Sequence, residues 1–334
     1  MPSGAEALAA AVLAAGPPAV AGAWVRRRAR AHEARAEAAH PPEGHMLDIG
    51  GHRVHAVTMG TGPDLVLIHG ASGNARDMTH ALAPRLAARY RVIALDRPGL
   101  GYSDRIDPGG ATIVQQADLL ARAAAELGAP RPIVLGHSYG GAVALAWAVH
   151  WPDRMAALVP VAAPSHPWKG PLPWLYRITA HPVLGPLAIP ALTAFVQDSL
   201  VERQIRAIFA PDPVPQGYIA HIGAGLTLRR HTLRANARQR AGLKAEITRL
   251  HHHYPEIAVP TEIVHGTADT TVGLDIHARQ LVRDIPGARL ARLPRVGHMP
   301  HHAAPDAVIA AVDRAAVRAG HARATPLEAP PAPD

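Results

Sequence analysis

The stretch Gly136-His137-Ser138-Tyr139-Gly140 sets a serine between two glycines, where an apolar run gives way to an alanine-rich one. A serine hydroxyl is a poor nucleophile until an imidazole takes its proton, and a carboxylate must orient that imidazole. A strand turning sharply into a helix lifts the turn residue above the carboxyl edge of a sheet, in a strained backbone conformation that flanking glycines make room for. The setting between "PIVL" and "AVALAWAV" suits such a turn. In this arrangement the acid follows the nucleophile along the chain and the histidine comes last. Asp269, just past "TEIVHG", and His298, after one more short strand and Gly297, meet that order. The backbone N–H of Tyr139 would hold one side of an oxyanion. A second donor is expected from "HGASGN", residues 69–74, with Ala71 the first choice and Ser72 next.

These residues need a sheet to carry them. "DLVLIHG", "RVIALDRPG", "PIVLGHS", "ALVPVAA" and "TEIVHGTAD" are apolar runs suited to buried parallel strands. "MLDIGGHRVHAVTMG" reads as a hairpin turning at Gly50-Gly51. Helical stretches such as "TIVQQADLLARAAAELGA" alternate with the runs, which predicts an α/β fold with a mostly parallel sheet flanked by helices. Between Ala163 and Pro260 no convincing strand occurs, and an inserted helical subdomain is expected there. The division is residues 1–45 as an apolar segment with a charged linker, 46–163 and 256–320 as the core, 164–255 as a helical cap, and 321–334 as a disordered Pro/Ala-rich tail.

"HGASGN", "DRPGLGYSDR", "GHSYGG", "HGTADTTV" and "GHMPHH" resemble, in order, the signature blocks of the α/β-hydrolase superfamily over about residues 46–318. The resemblance implies a Ser138–His298–Asp269 triad on a nucleophile elbow, with a cap between the sixth and seventh strands. Serine at the nucleophile position points to ester, lactone, thioester or amide hydrolysis, with an apolar small-molecule ester as the expected substrate. Ser72, Trp168 and Met299 are the residues expected to touch it. Two alternatives stay open, a cofactor-free haloperoxidase or carbon–carbon hydrolase and a non-catalytic binding protein. Carbon–carbon hydrolases of this fold tend to carry tryptophan after the catalytic histidine, where this chain has Met299.

Other residues read more plainly. Asp96 is expected to shape its loop, and His137 to be structural. His251, His252 and His253 point in different directions on a helix, so no metal centre is expected, and triad chemistry calls for no cofactor. The absence of cysteine excludes disulfides and thiol catalysis. The net charge of +8 is almost all arginine, scattered without a nucleic-acid motif, so no nucleic-acid partner is expected. Residues 7–25 carry no charge and precede "RRRAR". That pattern predicts a single N-terminal membrane anchor with the catalytic domain on the cytoplasmic side, the alternative being a soluble cytoplasmic protein.

Overall fold

The computed structural model describes residues 4–321, with side chains described from Val20 onward. Nearly all of the expected tail, residues 322–334, lies outside the described residues. The strands are β1 (His45–Asp48), β2 (Arg53–Met59), β3 (Asp64–Ile68), β4 (Arg91–Leu95), β5 (Ile133–His137), β6 (Ala157–Val161), β7 (Glu262–Gly266) and β8 (Arg289–Leu293). They form one sheet in the order β1-β2-β4-β3-β5-β6-β7-β8. β1 and β2 are antiparallel, as is β2 to β4, and every other pairing is parallel. The hairpin and each apolar run fall where the sequence suggested.

Helices cover both faces of the sheet. α1 is Gly4–Ala39, α2 Ala75–Thr79, α3 Leu82–Leu86, α4 Ile113–Glu126 and α5 Tyr139–His150. Between β6 and β7 run α6 (Trp174–Ala180), α7 (Leu184–Phe195), α8 (Asp198–Phe209), α9 (Tyr218–Ile222), α10 (Ala224–Thr227) and α11 (Arg230–Leu250). α12 (Ala278–Asp284), α13 (Pro300–Ala303) and α14 (Pro305–Arg318) follow. Alternate strand residues point to opposite faces, so Val66 and Ile68 join the cluster under α4 and α5, while Leu65 and Leu67 join the one under α2, α3 and α14. Both faces being buried explains why the parallel strands are continuous apolar runs.

From β3 the chain turns to β4 on one side, and β5 then lies on the other. The carboxyl ends of β3 and β5 therefore flank the crevice where an open α/β sheet takes its ligand. Both chemistry-bearing loops, residues 69–74 and the turn at Ser138, leave the sheet there.

The N-terminus is described in part. No single helix among the described residues is long and apolar enough to cross a membrane. Residues 7–25 belong to one helix with the charged stretch behind them. Residues 7–19, most of the expected anchor, have side chains outside the described residues. The expected linker is instead the part of α1 that packs on the insertion. Arg28 Nε donates to Ala194 O at 2.8 Å, Glu33 accepts from Arg230 at 2.7 and 2.8 Å, and Glu37 accepts from Arg229 at 3.0 Å. Trp24 meets Phe195, and Ala29 is fully buried.

Candidate active site

Ser138 sits between β5 and α5 with φ 51° and ψ −121°, a left-handed φ that a serine adopts only under constraint. Its glycine neighbours are required by close packing. A Cβ at Gly136 would overlap Gly140 O, and one at Gly140 would overlap the carbonyls of Ile68 and His69. Helix α5 can therefore start immediately above β3, presenting the first-turn N–H groups that have no intrahelical acceptor. Tyr139 N–H is one of these.

Asp269 follows β7 and His298 follows β8, and the two loops bring both side chains to Ser138. His298 Nδ1 lies 2.7 Å from Asp269 Oδ2, and His298 Nε2 lies 3.0 Å from Ser138 Oγ. A carboxylate only accepts, so Nδ1 carries the proton and the Nε2 lone pair faces the hydroxyl. Asp269 Oδ1 accepts the backbone N–H groups of Thr271 and Val272 at 2.8 and 2.9 Å. Burial pushes the Asp269 carboxyl up, but hydrogen bonds from His265, His298 and the Val272 backbone outweigh it and hold the group well below the usual carboxylate range. The acid stays ionised. An ionised acceptor, a singly protonated imidazole and a hydroxyl in line are the parts needed to generate an alkoxide-like nucleophile.

The loop opposite is held from two sides. Arg97, fully buried, donates from Nε to His69 O at 3.0 Å and from Nη2 to Gly70 O at 2.9 Å, and its guanidinium stacks 4.2 Å from the Tyr139 ring centroid. Its Nη1 reaches Gln116 and Gln239 at 2.9 Å each. Burial pushes this guanidinium down to about 10, still charged at neutral pH. From the insertion, Asn236 Oδ1 accepts Ser72 N–H at 2.9 Å, Asn236 Nδ2 donates to Ser72 Oγ at 2.8 Å, and Thr227 Oγ1 donates to Ser72 O at 2.9 Å. Ser72 therefore has its N–H and hydroxyl committed to the insertion.

The other expected site residues are more scattered. Trp168 packs at the margin of the core, its ring edge-on to His277 at 5.9 Å. Met299 is buried with Phe209, Tyr218 and Ile222 of the insertion. Asp96 lies away from the triad: it accepts from Ala75 N–H at 2.6 Å, Tyr102 N–H at 2.8 Å and His55 Nδ1 at 2.6 Å, shaping the 96–104 loop. His301 and His302 turn to Asp77. Sequence reasoning missed Arg97, Asn236 and Asp77. Only Arg97 had a signal, standing inside the "DRPGLGYSDR" block.

Residues 65–311 match the sequence profile of the alpha/beta hydrolase family. The chain belongs to the α/β-hydrolase family. Within that family, a 2-hydroxy-6-oxononadienedioate/2-hydroxy-6-oxononatrienedioate hydrolase of Klebsiella pneumoniae is 29% identical over 269 residues, covering 75% of this chain and 87% of its own. A pimeloyl-[acyl-carrier protein] methyl ester esterase of Aeromonas hydrophila is 29% identical over 268 residues, covering 76% and 95%. Among solved structures, an α/β-hydrolase-fold protein of Burkholderia ambifaria is 30% identical, covers 81% of this chain and 99% of its own, and superposes with a TM-score of 0.65. One far longer relative, a polyketide synthase of Burkholderia thailandensis, is 33% identical over a match that spans 11% of its length. The names of these relatives differ in the activities they carry, so membership in the family establishes a hydrolase of this fold and leaves the bond cleaved to be argued from the site.

Proposed function

We propose that this α/β hydrolase cleaves carboxylic esters of apolar small molecules through an acyl-enzyme on Ser138. The observation that carries the reading is the Asp269–His298–Ser138 hydrogen-bond chain, 2.7 and 3.0 Å, ending on a serine with φ 51°. As Ser138 Oγ attacks the ester carbonyl, His298 Nε2 takes its proton. Asp269 stabilises the imidazolium without becoming protonated. The carbonyl oxygen, now an oxyanion, is held by Tyr139 N–H and Ala71 N–H. His298 then protonates the leaving alkoxide oxygen and the C–O bond breaks. Water deprotonated by His298 attacks the acyl-enzyme in turn, releasing the acid and restoring Ser138.

The helices from α6 to α11 serve as a cap that selects the acyl group. Asp212 accepts Gly297 N–H at 2.7 Å beside His298, and Asn236 holds Ser72, so the insertion fastens to both loops around the nucleophile. The run of Leu, Ile, Ala and Trp from Trp168 to Phe209 argues for an apolar substrate. The name of the Aeromonas relative agrees with ester cleavage.

A series of p-nitrophenyl esters from acetate to octanoate tests this. Each methylene accepted by an apolar pocket adds about 0.8 kcal/mol, roughly fourfold in kcat/KM, until the pocket is full. A rise to a short-to-medium optimum is expected. Absence of turnover on every ester would overturn the reading, and indifference to chain length would overturn the apolar acyl pocket.

A further inference from the structure

Next to the triad, Asp77 of α2, His137 at the end of β5 and His301 of α13 converge, all buried, with one ligand atom of each within 4.8 Å of the others. Asp77 Oδ1 is well used, accepting the Tyr218 hydroxyl at 2.7 Å and His302 Nε2 at 2.9 Å. Asp77 Oδ2 has a longer contact as its hydrogen bond. His301 Nε2 stands 3.3 Å from it and His137 Nδ1 3.9 Å.

The His137 tautomer is decided by its other nitrogen. Nε2 lies 2.9 Å from the main-chain carbonyl of His298. A carbonyl only accepts, so Nε2 carries the proton and Nδ1 presents a bare lone pair. That Nδ1 has no hydrogen-bond partner among the described residues, yet it faces a carboxylate oxygen. Two acceptors facing each other in a buried space repel, unless a cation lies between them.

We propose that Asp77 Oδ2, His137 Nδ1 and His301 Nε2, with a water as the fourth ligand, bind one divalent transition-metal ion, zinc by preference, beside the triad. Two imidazoles and a carboxylate suit a borderline ion rather than calcium or magnesium. Metal–ligand bonds of about 2.0–2.2 Å place tetrahedral ligand atoms roughly 3.3–3.5 Å apart. The Asp77–His301 spacing of 3.3 Å already fits, and His137, 3.9 Å from Asp77 and within 4.8 Å of His301, moves inward to join them. Tyr218 and His302 on Asp77, and the His298 carbonyl on His137, are the outer hydrogen bonds that orient such ligands. The ion would tie together the helix after the 69–74 loop, the elbow and the histidine loop. It takes no part in acyl transfer, so the proposal stands apart from the ester reading.

The chain has 22 histidines, and exposed ones bind metal adventitiously, so the test needs a control at the exposed His252 and His253. Full-length protein is refolded with zinc or with cobalt(II), dialysed against a weak chelator, and assayed for metal content, cobalt d–d absorption and Tm. The expected result is one retained ion per chain, cobalt bands of a four-coordinate nitrogen–oxygen site, and a metal-dependent rise in Tm. His301→Gln and Asp77→Asn should lose all three, while the double variant His252→Ala/His253→Ala keeps them. Wild-type protein that retains less than stoichiometric metal overturns the proposal, whether or not the variants fold. So does binding that survives His301→Gln or vanishes with the exposed pair.

Discussion

Asn236 holds Ser72 by two hydrogen bonds, accepting its N–H at 2.9 Å and donating to its hydroxyl at 2.8 Å. The long helix of the insertion thereby sets the conformation of the loop opposite the nucleophile, where Ser72 takes a left-handed φ of 58°. Asn236→Ala leaves a Ser72 N–H without its acceptor, at a cost of about 1–3 kcal/mol. If the loop holds the Ala71 donor in place, kcat should fall by roughly tenfold or more with KM much less changed. Unchanged kcat in a folded variant would show that the insertion does not position this loop.

Two buried aspartates should separate cleanly. Asp269→Asn is expected to keep its fold and lose turnover by roughly 10³–10⁴-fold, because the histidine then has the wrong tautomer and an unsupported imidazolium. Asp96→Asn removes the charged acceptor of Ala75, Tyr102 and His55 and should lower Tm, with turnover per folded molecule near that of wild type. Steady-state kinetics with thermal melts of both variants decide it. The reverse pattern would make Asp96 the acid.

Stability should fall on mild acidification. Burial, with Arg97 nearby, pushes His69 down to about 4, and burial, with His265 and His166, does the same to His277. Each uses a ring nitrogen as acceptor: His69 Nε2 from Arg97 N–H at 3.0 Å, His277 Nδ1 from Ser165 and His166 N–H at 3.1 and 3.2 Å. Between pH 6.5 and 4 the unfolded chain binds protons that these folded sites refuse, so stability drops as pH falls through that window. His55 opposes them. Burial lowers its pKa but Asp96 raises it further, so its contribution is complete below pH 6.5 and is lost only as pH rises. Asp96 and Asp269, both held below 3.8, lose their contribution only at lower pH still. Burial also lowers His80, His166, His221 and His231, so Tm should decline from pH 7 to 5, and His277→Gln should lessen the decline. A Tm constant or rising toward pH 5 would contradict this.

The N-terminal helix should matter to stability through its contacts with the insertion. Removing residues 1–39 takes away Glu33 and Glu37, which hold Arg230 and Arg229, and exposes the surface under Ala29. A loss of about 2 kcal/mol corresponds to roughly 4–8 °C in Tm for a large domain. Differential scanning calorimetry of the shortened chain should show a drop of that order. An unchanged Tm would mean that these contacts are too weak to couple α1 to the rest.

The sheet could be read from the sequence because parallel strands buried on both faces are unbroken apolar runs, and β3, β5 and β7 lead directly into residues of the site. Ser138, Asp269 and His298 could be picked out because strand ends, a flanking glycine pair and chain order constrain them together. Asn236 and Asp77 could not. Each acts on a partner more than a hundred residues away, and nothing in local spacing marks such a pair. The packing of the helix behind residues 7–25 on the insertion could not be read either, since the charged pattern of Arg28, Glu33 and Glu37 does not name partners far along the chain.

Ser138 is the centre of the account, and its chemistry can be read directly. Wild-type protein treated with a fluorophosphonate should be labelled at Ser138, found by peptide mass spectrometry, and lose p-nitrophenyl ester hydrolysis in proportion. Ser138→Ala should take no label and retain no more than about a thousandth of wild-type turnover, since the nucleophile is gone while the binding groups remain. Labelling at another residue, or ester turnover that survives in Ser138→Ala, would contradict the account.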